Sequence, residues 1–575
     1  MSTVFIVAPT LWHPTVTGKY FYFAMSVAFA SLVTAFYLFR SGSFFRLCLT
    51  DLAVLCFAAW VLAGCVVNRA HCGMNLWLFV LLVPLYLIFR ATLHDRNLLH
   101  LLVLVIVSVV AVEAVWGLLQ LHGFLNSYHG LFVITGSFFN PGPFAGFLAC
   151  GVPLALHCVL NGKRRAVKFL GLACLLAVGL ILPATMSRAA WMAVFAGSFP
   201  VVLQQLKIIS QPSSIIRRKS KIVFVFAALF VVGSFYGLYA IKKQSADGRL
   251  LIWRVSAGLV GEQPIIGSGL GSFKMLYDGA QAGFFLSGKT SENQSWVADS
   301  PKQAFNEYIQ IAVEHGLIGL LLFLCVIYSS ISGIILHRSK SEKLNSKTAD
   351  SVGFSVLGSL IAFCVFSFFS YPFSILPLTI LFVVIIAMSA SLSQPIERLQ
   401  SRWVGAFVGV LCLAMTCYGS FEILSRYIAY SDWKSVQSLH GENTRDIYHR
   451  LYPKMNRHPQ FLFEYARLLS EADRYETSNA MLARYLLFGS DPVVFNCMGD
   501  NYRNLGMYKE AENMYFRALQ IVPSRHLPLY LLMKLYQETG EIEKAKAMAK
   551  ELLEKPVKVP SAAIRNMHDE ARKLL

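Results

Sequence analysis

The chain has 575 residues, of which 56% are hydrophobic and only 14% charged, and its mean hydropathy is +0.54. This excludes a soluble globular domain and points to a polytopic membrane protein. The net charge of +19 would suit nucleic acid, but the basic residues crowd into alternate short loops, so the charge orients the chain in a bilayer and no nucleic-acid partner is expected.

Residues 1–19 contain "VFIVAPTLW", too short to span and expected at the membrane surface, with no cleavable signal sequence. Twelve apolar stretches long enough to span follow, near 20–39, 51–68, 74–90, 98–120, 142–160, 167–185, 189–206, 222–241, 308–336, 353–371, 374–393 and 403–422. One set of short loops, such as Lys163 to Lys168 and Lys207 to Lys221, carries 19 Lys and Arg residues, whereas the alternate set holds three, Lys19, Arg69 and Arg188. The rich set is therefore cytoplasmic, and both termini lie outside. The 12 cysteines form no CxxC pair and the 14 histidines no HxxxH or HExxH, so no disulfide framework, metal site or cofactor is expected.

Three polar features fall on the outer face. In "GSFFNPGPFAG" (136–146), Asn140 and Pro141 mark a kinked, hydrogen-bonding start to the fifth span. In "TMSRAAW" (185–191), Arg188 heads the seventh. The segment from Lys242 to Phe305 is the large hydrophilic insertion; its "DGRLLIWR" carries Arg249 and Arg254, five residues apart and off a common helical face. A guanidinium is permanently charged and its planar fork matches phosphate oxygens, although a lone interfacial Arg more often anchors a lipid headgroup. "PIIGSGLGSF" (264–273) fits neither phosphate-loop pattern and reads as a turn that brings backbones close.

In "SPKQAFNEYIQIAVEHGLIGLLLFL" (300–324), Gln303, Asn306, Glu307, Gln310 and Glu314 have offsets 0, 3, 4, 7 and 11 and so share one helix face. Carboxylates entering a bilayer face a wet cavity or cationic partners rather than lipid. The plainer alternative is that this turn stands above the lipid, merely solvated.

Beyond the last span the composition becomes soluble, with a 34-residue repeat of the tetratricopeptide kind. The clearest copy is "MGDNYRNLGMYKEAENMYFRALQIVP", with Gly499, Tyr502, Gly506, Tyr508, Ala511, Tyr515, Ala518 and Pro523 at packing positions. Tyr536, Gly540 and Ala545 recur one period later. Such arrays offer a concave surface to peptides or protein partners; the bland alternative is a spacer. The expected fold is thus all-α, a bundle of about twelve spans over 1–424 with an outer loop at 242–305, followed by a tetratricopeptide α-solenoid over 425–575 hanging outside the membrane.

With these segments on the page, the chain resembles the O-antigen ligase and polymerase superfamily of bacterial membrane glycosyltransferases. The carrying motifs are "GSFFNPGPFAGFLACGVPL", "SRAAWMA", "GRLLIW" with "PIIGSGLGSF", and "AFNEYIQIAVEHGLIGL". The resemblance implies a multi-pass protein of the bacterial inner membrane with its C-terminal domain in the periplasm. It implies transfer of a glycan from undecaprenyl diphosphate, without a metal, to a hydroxyl of a lipid A-core sugar, a protein or another repeat unit. It also implies that Arg188 and Arg249 hold the diphosphate and that Asn306 is half of a His-Asn pair. Beyond what the resemblance implies, Arg254 is expected to assist the two arginines, and Gln310, Glu314 and Asn140 to border the acceptor channel. Where that family has its histidine, this chain has Phe305, which accepts no proton. Glu307 or another carboxylate then serves as base, or base catalysis contributes little, or activity is lost. The expected partners are the lipid-linked glycan, the acceptor, membrane lipids and a protein on the repeats. The rivals are a repeat-unit polymerase, a protein O-oligosaccharyltransferase and a non-catalytic scaffold for envelope glycan assembly.

Overall fold

The computed structural model describes residues 1–41, 45–68, 73–93, 95–205, 243–288, 291–341, 349–399, 402–436 and 442–575. The eighth expected span (222–241) and the basic run 207–221 lie outside the described residues. The other apolar stretches are helices: α1 (Thr17–Ser41), α2 (Leu49–Val67), α3 (Gly73–Thr92), α4 (Arg96–Leu121), α5 (Pro141–Asn161), α6 (Arg165–Ala184) and α7 (Arg188–Gln205). The outer segment folds into α8 (Lys243–Glu262), α9 (Phe273–Leu286) and α10 (Glu292–Val297). Then come α11 (Glu307–Ser341), α12 (Ala349–Phe368), α13 (Leu376–Leu392) and α14 (Arg402–Leu424).

Among the described residues nine helices are long and apolar enough to cross a membrane, against the twelve expected. Besides 222–241, α13 has only 17 residues, and α7 is diluted by Arg188, Ser198, Gln204 and Gln205. The fold is all-helical as expected, apart from one local detail: Phe45–Leu47 and Glu397–Leu399 pair as a short antiparallel ribbon in the register Phe45 to Leu399.

Helix α5 is the hub, walled by α4, α6, α7 and α12. Asn140 caps it, its Oδ1 accepting from the Gly142 N–H at 3.0 Å, with Pro141 in the first turn where no donor is needed. Lipid tails are as apolar as leucine, so spans associate by close packing of small residues. Here Gly146 lies against the Phe366 ring, and α7 crosses α12 where Gly197 and Gly358 bring backbone onto backbone. Toward the ribbon end, Asp51 of α2 takes a bidentate pair from Arg90 of α3 at 2.6 and 2.9 Å and a hydrogen bond from the Tyr86 hydroxyl at 2.7 Å. Each group satisfies the other's buried valences, as charge inside a bundle requires.

Helix α11 is broken at Gly316, whose φ of 70° and ψ of −177° are not helical. A break inside a bundle frees backbone groups that need partners, and the glycine-rich loop supplies them. Leu317 N–H donates to Pro264 O at 2.7 Å, while Ser268 and Gly269 N–H donate to Val313 and Glu314 O at 2.9 and 2.7 Å. A Cβ on Gly267 or Gly316 would collide with the facing backbone. "PIIGSGLGSF" is therefore the splice for a broken helix, a close backbone approach as its composition implied.

The C-terminal region consists of α15 (Tyr427–Val436), α16 (Glu442–Met455), α17 (Pro459–Ser470), α18 (Tyr475–Tyr485), α19 (Pro492–Asn504), α20 (Tyr508–Ile521), α21 (Leu527–Glu538), α22 (Ile542–Glu554) and α23 (Ala562–Leu574). Helices α17 and α18, α19 and α20, and α21 and α22 pack as pairs. Gly499 abuts the Tyr515 ring, and the turns within the pairs place Asp473, Gly506 and Gly540 at positive φ. These helices do not hang free. Ser490 N–H donates to Lys274 O at 3.0 Å, the Gln281 amide donates to Ile521 O at 2.6 Å, and Lys302 pairs with Asp491 at 3.2 Å. Trp12 stacks on buried Trp433 with centroids 4.1 Å apart, so the N-terminal segment, expected at the membrane surface, is a wedge between the two parts. The contacts join residues far apart in sequence, which local pattern does not reveal.

Candidate functional site

Two cavities flank the first turns of α11. The first is a crevice of about 550 Å³ lined by Arg188, Arg249, Asn140, Phe305 and Tyr371, with an apolar lip from Leu131 to Ile134. Arg188 opens α7, where the positive end of the helix dipole adds to its charge. The residue two before it, Met186, is held at φ 53°. Arg249 reaches in from α8, half-buried. Burial, and then the charge of Arg188, hold its pKa below the ordinary guanidinium value, partly offset by Tyr371. The Arg249 guanidinium sits 5.4 Å from the centre of the Phe305 ring, which in turn meets Tyr371 edge-on at 5.2 Å. Phe305 is itself at φ 52°, a conformation that a bulky residue adopts only when its surroundings enforce it.

The second cavity, about 370 Å³, lies on the other side of α11 and takes in Gln303, Glu307, Gln310 and Glu314. The shared face read from their spacing thus looks into a cavity rather than lipid. The cations at its mouth are Lys274 and Lys302, not the arginines. Both carboxylates are buried and bound to backbone: Glu307 accepts from the Phe373 N–H and Glu314 from the Gly271 N–H, each at 2.7 Å. The Gln310 amide donates to Glu314 at 3.2 Å and its oxygen accepts from the Ala304 N–H at 3.2 Å.

The expected site residues are therefore divided. Arg188, Arg249 and Asn140 share the crevice, whereas Glu307, Gln310 and Glu314 share the second cavity. Asn306 lines neither, and its Oδ1 caps α11 by accepting from Tyr308 and Ile309 N–H at 3.0 and 3.2 Å. Arg254 points away, exposed, with its guanidinium 5.3 Å from the Phe284 ring; five residues at about 100° each carry it well round α8 from Arg249. None of the described residues lining the crevice is a carboxylate or a histidine.

Tyr371 is the crevice residue that sequence reasoning missed. It sits at a turn before Pro372, 66 positions beyond Phe305, and nothing in its local sequence marks it. Burial raises its pKa and Arg249 opposes that.

Residues 171–324 match the protein family described as O-Antigen ligase. That stretch contains Arg188, Arg249 and the first half of α11 but neither Asn140 nor Tyr371. The chain is also similar to two proteins each named "putative polysaccharide ligase". The one from Rickettsia conorii is 34% identical over 105 residues, covering 18% of this chain and 24% of that protein. The one from Rickettsia typhi is 32% identical over 102 residues, covering 17% and 22%. The alignment spans about a quarter of each relative's length.

Proposed function

We propose that this multi-pass membrane protein is a glycan ligase-type transferase whose crevice holds the diphosphate of a lipid-linked donor between Arg188 and Arg249. The observation that carries this reading is that the two guanidinium groups, 61 residues apart in sequence, line one crevice beside α11. Each cation raises the cost of keeping the other charged in a half-buried place, and a bound pyrophosphate removes that cost. The family match and the relatives' names support a ligase-type role of the same class.

In this reading the acceptor oxygen attacks the anomeric carbon and the bond to the diphosphate oxygen breaks with its electron pair. The two arginines stabilise the negative charge that develops there, usually the largest contribution to such a reaction. The hydroxyl proton passes to the departing diphosphate. Tyr371, rather than Glu307 across the helix, orients the acceptor hydroxyl, while Asn140 and the lip at 131–134 shape the approach. The donor we favour is a glycan on undecaprenyl diphosphate, and the acceptor a lipid A-core sugar or a protein hydroxyl. The crevice end of the bundle would face the periplasm from the inner membrane, as the loop charges imply. The C-terminal helix pairs we read as tetratricopeptide repeats that recruit a partner or a protein acceptor.

The test is transfer from a purified lipid-linked glycan by full-length protein and by Tyr371→Phe and Arg249→Ala variants of equal membrane abundance. Loss in Arg249→Ala supports the diphosphate site; unchanged transfer refutes it.

A further inference from the structure

The second cavity has a form that the transfer reading does not use. Its mouth is polar, with Lys274 and Lys302 beside Gln303, and its shaft between α2, α3, α11 and α13 is apolar, with walls that include Leu82, Phe323 and Val383. Tyr86 also lines it, with its hydroxyl committed to the Asp51–Arg90 pair. From Asn75 near the mouth to Tyr86 is eleven residues of α3, or about 16 Å at the helical rise. That is close to half of the ~30 Å hydrocarbon core, the depth of one leaflet.

Water finds few partners on such walls, and an empty shaft forfeits their dispersion contacts. The two carboxylates at the neck are held by the Phe373 and Gly271 N–H groups, and Glu314 has the charge of Lys274 nearby as well, so they ask for no cation from a ligand. The lysines are what remain at the mouth. Lys302 reaches Asp491 at 3.2 Å but is nearly half exposed, and the Lys274 ammonium makes no hydrogen bond to a described residue.

From this arrangement we infer that the second cavity is a binding site for an anionic phospholipid of the surrounding bilayer, one acyl chain filling the shaft and the phosphate lying between Lys274 and Lys302. A long polyprenyl chain overruns a shaft of this length, which favours an acyl lipid over the glycan donor. The site is distinct from the arginine crevice, with the first half of α11 as the wall between them. Its mouth is also where the C-terminal helices dock, through Ser490 and Asp491. A bound lipid would therefore brace that junction.

The test is native mass spectrometry of full-length protein purified in mild detergent and supplied with phosphatidylglycerol, phosphatidylethanolamine or a polyprenyl diphosphate. Wild type should retain one phosphatidylglycerol in preference to the other two. Leu82→Trp and Val383→Trp, which fill the shaft from partly open positions, should reduce retention at least tenfold. Lys274→Gln, which leaves the shaft intact and folds independently of any overpacking, should abolish the preference for the anionic lipid. Arg249→Ala should retain lipid as wild type does, so failure of the transfer reading and failure of this one are separable. No retained lipid in wild type, equal retention of the zwitterionic lipid, preference for the polyprenyl diphosphate, or undiminished preference in Lys274→Gln would each overturn the assignment.

Discussion

Arg249 and Phe305 face each other in the crevice, the guanidinium 5.4 Å from the ring centre. The ring stands where the family that this chain resembles is expected to carry a histidine, and it offers the cation an aromatic face instead of a proton acceptor. Histidine tolerates left-handed backbone better than most residues, so Phe305→His should fold. It should also raise transfer, by up to roughly 10²-fold if proton removal limits the rate. Initial rates with a lipid-linked donor measure this, and an unchanged rate would place the barrier in bond cleavage to the diphosphate.

Glu307 lies in the other cavity, bound to the Phe373 N–H. Glu307→Gln should therefore lower transfer less than ~10-fold, against the ~10²–10⁴ expected for removal of a general base. A loss in the larger range would restore Glu307 to the chemistry.

The splice at the α11 break makes a stability prediction. Gly316 is at φ 70° and Gly267 at φ 73°, each against the other's backbone. Gly316→Ala should cost roughly 1–3 kcal/mol from a backbone conformation that only glycine adopts readily, with the collision added. A melting temperature in detergent equal to that of wild type would show that the loop and the break are not coupled.

Asp278, on α9 outside the spans, is buried and accepts from the Ser300 hydroxyl at 2.8 Å. Burial pushes its pKa up to about 6, while an unfolded aspartate titrates near ~3.9. The folded state therefore holds the proton more tightly, and this group's contribution to stability is lost as pH rises from about 4 through about 6. Asp278→Asn removes the dependence, so it should be the more stable protein at pH 7, by up to roughly 3 kcal/mol. The difference from wild type should close as pH falls toward 4. Paired melting curves over that range check both the sign and the window, and His458, whose pKa burial lowers to about 3, cancels because both proteins carry it.

Much of this architecture is legible from local chemistry. Apolar length gives the helices, the spacing of Gln303, Glu307, Gln310 and Glu314 gives their common face, and the glycines of 264–273 give a close backbone approach. What is not legible is which way that face turns. Phe305 and Glu307 are two residues apart yet serve different cavities, because the chain enters α11 through a left-handed residue and is capped at Asn306. Nor does sequence reveal that Tyr371 joins Arg249, or that the C-terminal helices dock through Trp433 and Asp491. Those contacts are made by the fold as a whole.

The central claim is that Arg188 and Arg249 together hold a lipid-borne diphosphate. Its most direct measurement is transfer from a lipid-linked glycan by Arg188→Ala, Arg249→Ala and Arg254→Ala at equal membrane abundance. The crevice geometry predicts losses of roughly 10²–10³-fold for the first two and near-normal transfer for Arg254→Ala, whose side chain lies outside the crevice. Intact transfer in either crevice variant, or an equal loss in Arg254→Ala, would contradict it.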